Sequence, residues 1–182
     1  MTHTKLKQWI INGQSAIIIA VLAQITIPLG FVPLTGQTLG VGIIATLLSP
    51  LNSTIAVSIY LLLGGIGLPV FAGFNSGLGV LVGPTGGYLV GFIFNTLITS
   101  YLIQKRGQYT VTWTTIANII GAIVTLIFGT LWLKVAANLN WQGALANGFI
   151  PFILPGILKA WLASFIGVTV YKALTRAHIS LN

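Results

Sequence analysis

Lys159 is the residue whose surroundings point most clearly to chemistry. It lies in the apolar stretch FIPFILPGILKAWL at 149–162, and the chain contains no Asp and no Glu. A charged group inside a membrane-length apolar segment is costly and usually faces a cavity or a partner. Since no carboxylate of the chain can neutralise the Lys159 ammonium, the sequence predicts that it binds an anionic ligand. The alternative is that Lys159 snorkels to the nearby membrane interface.

The sequence lacks the side chains on which most catalytic and metal sites depend. It has no Cys, and its two histidines, His3 and His178, lie near the ends of the chain. Without Asp or Glu, a Ser-His-Asp triad, a carboxylate pair and a carboxylate metal site are excluded. The glycines at 77–83 miss the dinucleotide-loop spacing by one residue, and no Gly-Lys-Ser/Thr phosphate loop is present. We therefore expect no enzymatic activity, no metal and no cofactor, and any ATP hydrolysis must belong to another subunit.

The composition is that of a membrane protein. Of 182 residues, 55% are hydrophobic and 4% are charged, and the mean hydropathy is +0.99. Soluble domains carry roughly 25% charged residues. We expect one integral membrane domain over 1–182. The net charge of +8 does not indicate nucleic acid, because the basic residues flank apolar segments and do not form a stripe.

Six apolar segments predict an all-α protein with six transmembrane helices. The basic N-terminus followed by a long apolar stretch is interpreted as the first helix, and not as a signal peptide. A full span needs about 20 residues, so the second and third segments are short. With six spans, most basic residues fall on the side of both termini, which the positive-inside rule places in the cytoplasm. The predicted spans are 9–28, 37–49, 53–68, 86–103, 111–135 and 150–174.

A glycine-rich segment separates the third and fourth predicted spans. Nine glycines fall within residues 64–87, which is too many for a stable helix, yet the segment is too apolar for a solvated linker. We expect a loop on the outer side of the membrane, where bare backbone approaches a ligand closely. Its candidate ligand contacts are Asn75, Gly79, Thr85 and Gly86, followed by Tyr88.

Other polar and aromatic residues leave two interpretations open. Thr35 and Gln37 either line the same outer cavity or cap the second helix. Tyr60 and Trp161 are either site aromatics or interfacial belt residues, whereas the position of Tyr101 favours the belt.

Ala16 and Ala20 lie one helical turn apart on the first span. This small-xxx-small spacing permits close helix approach. The pair therefore either docks a partner subunit or packs inside the chain.

Four motifs together resemble the BioY family of biotin-specific S components of energy-coupling factor (ECF) importers. They are VPLTGQTLGV at 32–41, LLLGGIGLPVFAG at 61–73, GVLVGPTGGYLVGF at 79–92 and LPGILKA at 154–160. The resemblance implies the S-component fold, biotin capture from the outer side of a prokaryotic plasma membrane, and no catalysis. It also implies a transmembrane coupling (T) subunit carrying two cytoplasmic ATPases, with Ala16 and Ala20 as the docking face.

The last motif departs from the family pattern at Gly156, where the resemblance leads us to expect Asp. That carboxylate would accept from ureido N–H groups of biotin and balance Lys159 three residues later. Its loss predicts an affinity lower by about ten- to a hundredfold. Lys159 itself either pairs with the biotin carboxylate or donates to the ureido oxygen. The alternatives are an S component with altered substrate or weakened binding, and a standalone small-solute carrier or channel.

Overall fold

The structure is a computed structural model that describes residues 3–179. Long helices dominate it. Between them lie short helical turns and a β-hairpin whose two strands have two residues each. The elements are α1 (His3–Ala23), β1 (Thr26–Ile27), β2 (Leu34–Thr35), α2 (Gln37–Leu47), α3 (Pro50–Gly65), a 3-10 turn (Ala72–Phe74), α4 (Leu78–Val82), α5 (Gly86–Arg106), α6 (Val111–Ala136), α7 (Trp141–Gly148) and α8 (Ile150–Arg176).

Four segments of the described chain are long and apolar enough to cross a membrane. They are Lys5–Ala23, Gly86–Arg106, Val111–Ala136 and Trp141–Arg176, the last combining α7 and α8. Helices α2 and α3 are apolar but have 11 and 16 residues. The structure thus contains helices at all six predicted segments, and four of them have the length of a full span.

Local sequence determines where several helices begin and end. The Ser49 hydroxyl accepts from the backbone N–H of Asn52, and Pro50 occupies the first turn, so α3 begins directly after the predicted turn. Thr110 caps α6 in the same way. Helix α5 ends at Arg106, and Gly107 caps it with a φ of +66°, the left-handed conformation that glycine favours.

The first predicted span, 9–28, extends beyond the C-terminal end of helix α1. Helix α1 stops at Ala23, and the chain then forms an antiparallel hairpin in which Thr26 pairs with Thr35. Gly30 turns the hairpin with a φ of +84°. The residues after Ala23 are apolar, so composition alone could not distinguish them from a continuing helix.

The glycine-rich segment is more ordered than the sequence predicted. It contains the 3-10 turn and α4, and Phe71 is buried edge-on against Tyr60, with ring centroids 5.5 Å apart. A Cβ at Gly64 would lie 2.1 Å from Cζ of Phe71, so glycine on α3 makes room for this ring. The side chain of Gln24 donates to Ala20 O at 2.9 Å and accepts from the Phe74 N–H at 2.8 Å, which ties the segment to the end of α1.

Helices α5 and α6 approach closely through glycines. A Cβ at Gly129 would lie 2.1 Å from Cδ1 of Tyr88, and one at Gly87 would lie 2.2 Å from Cβ of Trp132. Small residues at helix interfaces allow such contact inside a membrane. The packing fixes the ring of Tyr88, whose hydroxyl donates to Gly148 O at 2.7 Å.

Candidate ligand-binding site

A cavity of about 290 Å³ lies between the hairpin, the glycine-rich segment and helices α2, α5, α6 and α8. Of the residues predicted to contact ligand, the cavity is lined by Thr35, Gln37, Asn75, Gly79, Thr85, Tyr88, Gly156 and Lys159. Gly86 does not line it. A Cβ at Gly86 would lie 1.8 Å from Leu81 O, so this glycine allows the close turn between α4 and α5.

Lys159 turns into the bundle and does not extend along its surface. Its Nζ donates to the backbone carbonyl oxygen of Thr35 at 2.6 Å, although the two residues are 124 positions apart. The carbonyl of Thr35 accepts only one of the three hydrogens of the Lys159 ammonium group. Lys159 is the only charged side chain among the described residues that line the cavity. The cavity is therefore cationic and has donor capacity left for a ligand.

Thr35 and Gln37 form the cavity wall through a buried chain of hydrogen bonds. The Thr35 hydroxyl donates to Oε1 of Gln37 at 2.8 Å, and Nε2 of Gln37 donates to the hydroxyl of Tyr60. The backbone N–H of Gln37 also donates to Oγ1 of Thr35 at 3.3 Å, so Thr35 supports the start of α2 as well. Thr35 and Gln37 therefore line the cavity, whereas the N-cap of α2 is Gly36, which makes no side-chain capping hydrogen bond. Tyr60 is buried behind the site and is not a belt residue.

The sequence analysis missed polar residues in the interior of α5 and α6. Asn95, Asn118 and Thr125 are buried and line the cavity, yet none is charged or part of a recognised motif. Asparagine within an apolar span is the signal that could have found them, because amides in membrane helices need hydrogen-bond partners. The apolar wall was also missed, and it consists mainly of Phe71, Leu89, Phe92, Leu126 and Phe152.

The sequence matches the BioY family over residues 1–176. The chain belongs to the BioY family. It is 44% identical over 98% of its length to "Biotin transporter BioY2" of Lactococcus lactis, of which 97% is covered. It is 36% identical over 92% of its length to "Biotin transporter BioY" of Thermotoga maritima, again covering 97% of that protein.

A solved structure shares the fold of this BioY chain. It is the crystal structure of the S-component for biotin from an ECF-type ABC transporter, with a TM-score of 0.87, 28% identity and 94% coverage of each chain. The chain therefore has the S-component fold and, with its long apolar helices, is a membrane protein.

In this BioY chain, the predicted docking pair faces the chain's own core. Ala16 is 0% exposed within the main hydrophobic cluster, and Ala20 is half-buried against the same cluster. The structure thus supports the internal-packing alternative, because Ala16 cannot reach a partner in this conformation. The exposed side of α1 carries larger residues, including Ile10, Ile17 and Val21.

The two remaining aromatic candidates lie outside the cavity of the BioY chain. Trp161 is 47% exposed and stacks on Phe165, with ring centroids 5.9 Å apart. Tyr101 is exposed one turn from the basic end of α5, with Nζ of Lys105 5.7 Å from its ring centre. Neither is a site aromatic in this structure.

Proposed function

We propose that this chain is the biotin-binding S component of an ECF importer, and not an enzyme. The observation that carries the proposal is the cationic, largely apolar cavity around Lys159 in a chain of the BioY family. Two relatives covered over nearly their whole length are named biotin transporters, and the matching solved structure is an S-component for biotin.

The chemistry of the cavity suits biotin. Biotin combines a carboxylate, an apolar chain with a thiolane ring, and a ureido group with N–H donors and one oxygen. The aromatic and aliphatic wall suits the ring and chain, and Lys159 supplies a cation for the carboxylate or a donor for the ureido oxygen. Largely apolar pockets with a few placed polar groups are typical of small-molecule sites. Asn75, Gly79, Thr85 and Tyr88 would contact the ligand from the glycine-rich side.

The proposal includes six membrane crossings with both termini in the cytoplasm of a prokaryote. Helix α2 is about 16 Å long at 1.5 Å per residue, so it would cross only together with the hairpin that precedes it. The positive-inside rule supports this orientation, because Lys5, Lys7, Lys105, Arg106, Lys172 and Arg176 lie on the side of the termini. The cavity then opens from the outer half of the bundle, where biotin arrives.

Import would require other subunits. The chain has no phosphate-binding loop and no acidic residue to hold magnesium, so it cannot hydrolyse ATP alone. A transmembrane coupling subunit with two cytoplasmic ATPases would supply that energy, as S components of ECF importers require.

Binding and uptake of radiolabelled biotin test this function. The purified chain should bind biotin saturably, at one site per chain and at micromolar concentration or below. Excess unlabelled biotin should displace the label. Cells that express the chain with coupling and ATPase subunits should accumulate biotin, and omission of the coupling subunit should abolish accumulation.

The binding experiment and the uptake experiment can each fail independently of the other. Absence of saturable binding at micromolar biotin contradicts the substrate assignment. Saturable binding with uptake that does not depend on the coupling subunit contradicts the S-component role and favours a standalone carrier.

A further inference from the structure

Asn118 lies where α6 faces α2 and α8 at the floor of the cavity. Its side chain is 3% exposed and lines the cavity. The amide Nδ2 has two hydrogens to share among three acceptors, which are Thr46 Oγ1 at 3.0 Å, Thr114 O at 3.0 Å and Ser164 Oγ at 3.1 Å. Because a backbone carbonyl can only accept, the contact with Thr114 fixes which end of the amide is nitrogen.

The two hydroxyl partners support the same amide orientation. The Thr46 hydroxyl donates to Gly42 O at 2.8 Å, and the Ser164 hydroxyl donates to Ala160 O at 2.7 Å. Each therefore offers a lone pair to Asn118 and has no hydrogen left to give it. A flipped amide would place oxygen against three acceptors, so Oδ1 must point away from this cluster.

Oδ1 of Asn118 receives no hydrogen bond from the described residues. It lies close to α2, where a Cβ at Gly42 would be 2.6 Å away. Among the described residues, Oδ1 of Asn118 is not one of the unpartnered side-chain oxygens that are completely buried, so it keeps some accessible surface. A nearly buried acceptor without a donor costs free energy unless something else supplies one.

Asn95 provides a contrast within the same cavity. Its Nδ2 donates to Thr125 Oγ1 at 3.0 Å. Its Oδ1 is the nearer of the two acceptors of the Thr99 hydroxyl, at 3.1 Å against 3.3 Å for Ala117 O. Both ends of this amide are already used by the protein. Of the two buried asparagines at the cavity, only Asn118 therefore has an acceptor without a protein partner.

We propose that Oδ1 of Asn118 accepts a hydrogen bond from an N–H group of the ligand and selects for urea-type ligands. The inference rests on the proposed function, in which the ligand is biotin. Because the chain has no Asp or Glu, the side-chain oxygens that line the cavity are neutral, and only neutral oxygens there can accept from the ureido N–H groups. Asn118 offers such an oxygen, held in place by contacts to α2 and α8.

The test compares biotin with its two analogues that carry one methyl group on a ureido nitrogen. Wild-type protein should prefer biotin to at least one analogue. Asn118→Ser and Asn118→Leu should lower that preference by about tenfold, because biotin loses the acceptor in both variants, and the shorter serine also leaves space for the methyl group. The serine variant can still donate to Thr114 O, as Ser164 donates to Ala160 O, which preserves the helix contact.

Asn52→Ser is the control. It removes a similarly buried amide, 7% exposed, that does not line the cavity and accepts from Asn12, so the preference for biotin over the analogues should remain unchanged. If the Asn118 variants weaken biotin and both analogues by the same factor, Asn118 is structural and the proposal is wrong. A wild-type chain that binds no biotin would instead contradict the proposed function.

Discussion

Replacing Lys159 by methionine is expected to weaken biotin binding by about ten- to a hundredfold. The ammonium is the single charge among the described cavity residues, and it already uses the carbonyl of Thr35 to point inward. Methionine keeps the unbranched shape and apolar stem but cannot donate to a carboxylate or a ureido oxygen. Equilibrium binding of radiolabelled biotin to the purified variant measures the effect.

Thermal unfolding of the same variant distinguishes lost binding from lost structure. We expect Lys159→Met to retain or increase the ligand-free melting temperature, because burial of a charge in an apolar interior is costly. Lys134→Met is the control, since Lys134 lies outside the cavity with its Nζ 5.1 Å from the ring centre of Trp141. Equal biotin affinity in the Lys159→Met variant and the wild type would contradict a ligand role for Lys159.

Gly156→Asp is expected to tighten biotin binding by about ten- to a hundredfold. Gly156 lines the cavity, and a Cβ built there meets no atom within 4 Å, so a side chain has room. An aspartate would lie three residues before Lys159 on α8, a spacing that brings the two side chains together. It would also provide a charged acceptor for the ureido N–H groups.

Gly156→Asn separates charge from shape in this experiment. The asparagine has nearly the same size but no charge, so it should recover only a small part of the gain. Competition binding against unlabelled biotin gives the affinities of the three proteins. Unchanged or weaker binding in Gly156→Asp would show that position 156 does not serve as the family motif implies.

The long helices could be predicted because hydropathy alone requires them. Lys105 and Arg106 end an apolar run, and α5 ends there as well. The end of α1 could not be predicted, since the residues of the hairpin after Ala23 are as apolar as the helix. Its strands form because Thr26 and Thr35 pair across a turn, and such pairing is a non-local contact that composition does not show.

The candidate site was predictable where charge or glycine made a residue unusual. Lys159 and the glycine-rich segment were found for that reason, and both line the cavity. Asn118 was missed because its importance depends on three partners from α2, α6 and α8, which only the fold brings together. Ala16 is buried inside the chain in this structure, and its spacing from Ala20 could not show this, because such spacing indicates that helices meet closely and not which helix is met.

Sulfur anomalous diffraction from crystals grown with biotin tests the central claim most directly. The chain contains no Cys and one Met, Met1, so the sulfur of the biotin thiolane ring would stand almost alone in the anomalous map. We predict one peak per chain inside the cavity, between Lys159 on α8 and Asn118 on α6. A map from biotin-saturated crystals with no peak in the cavity, or with the sulfur on a lipid-facing surface, would contradict the account.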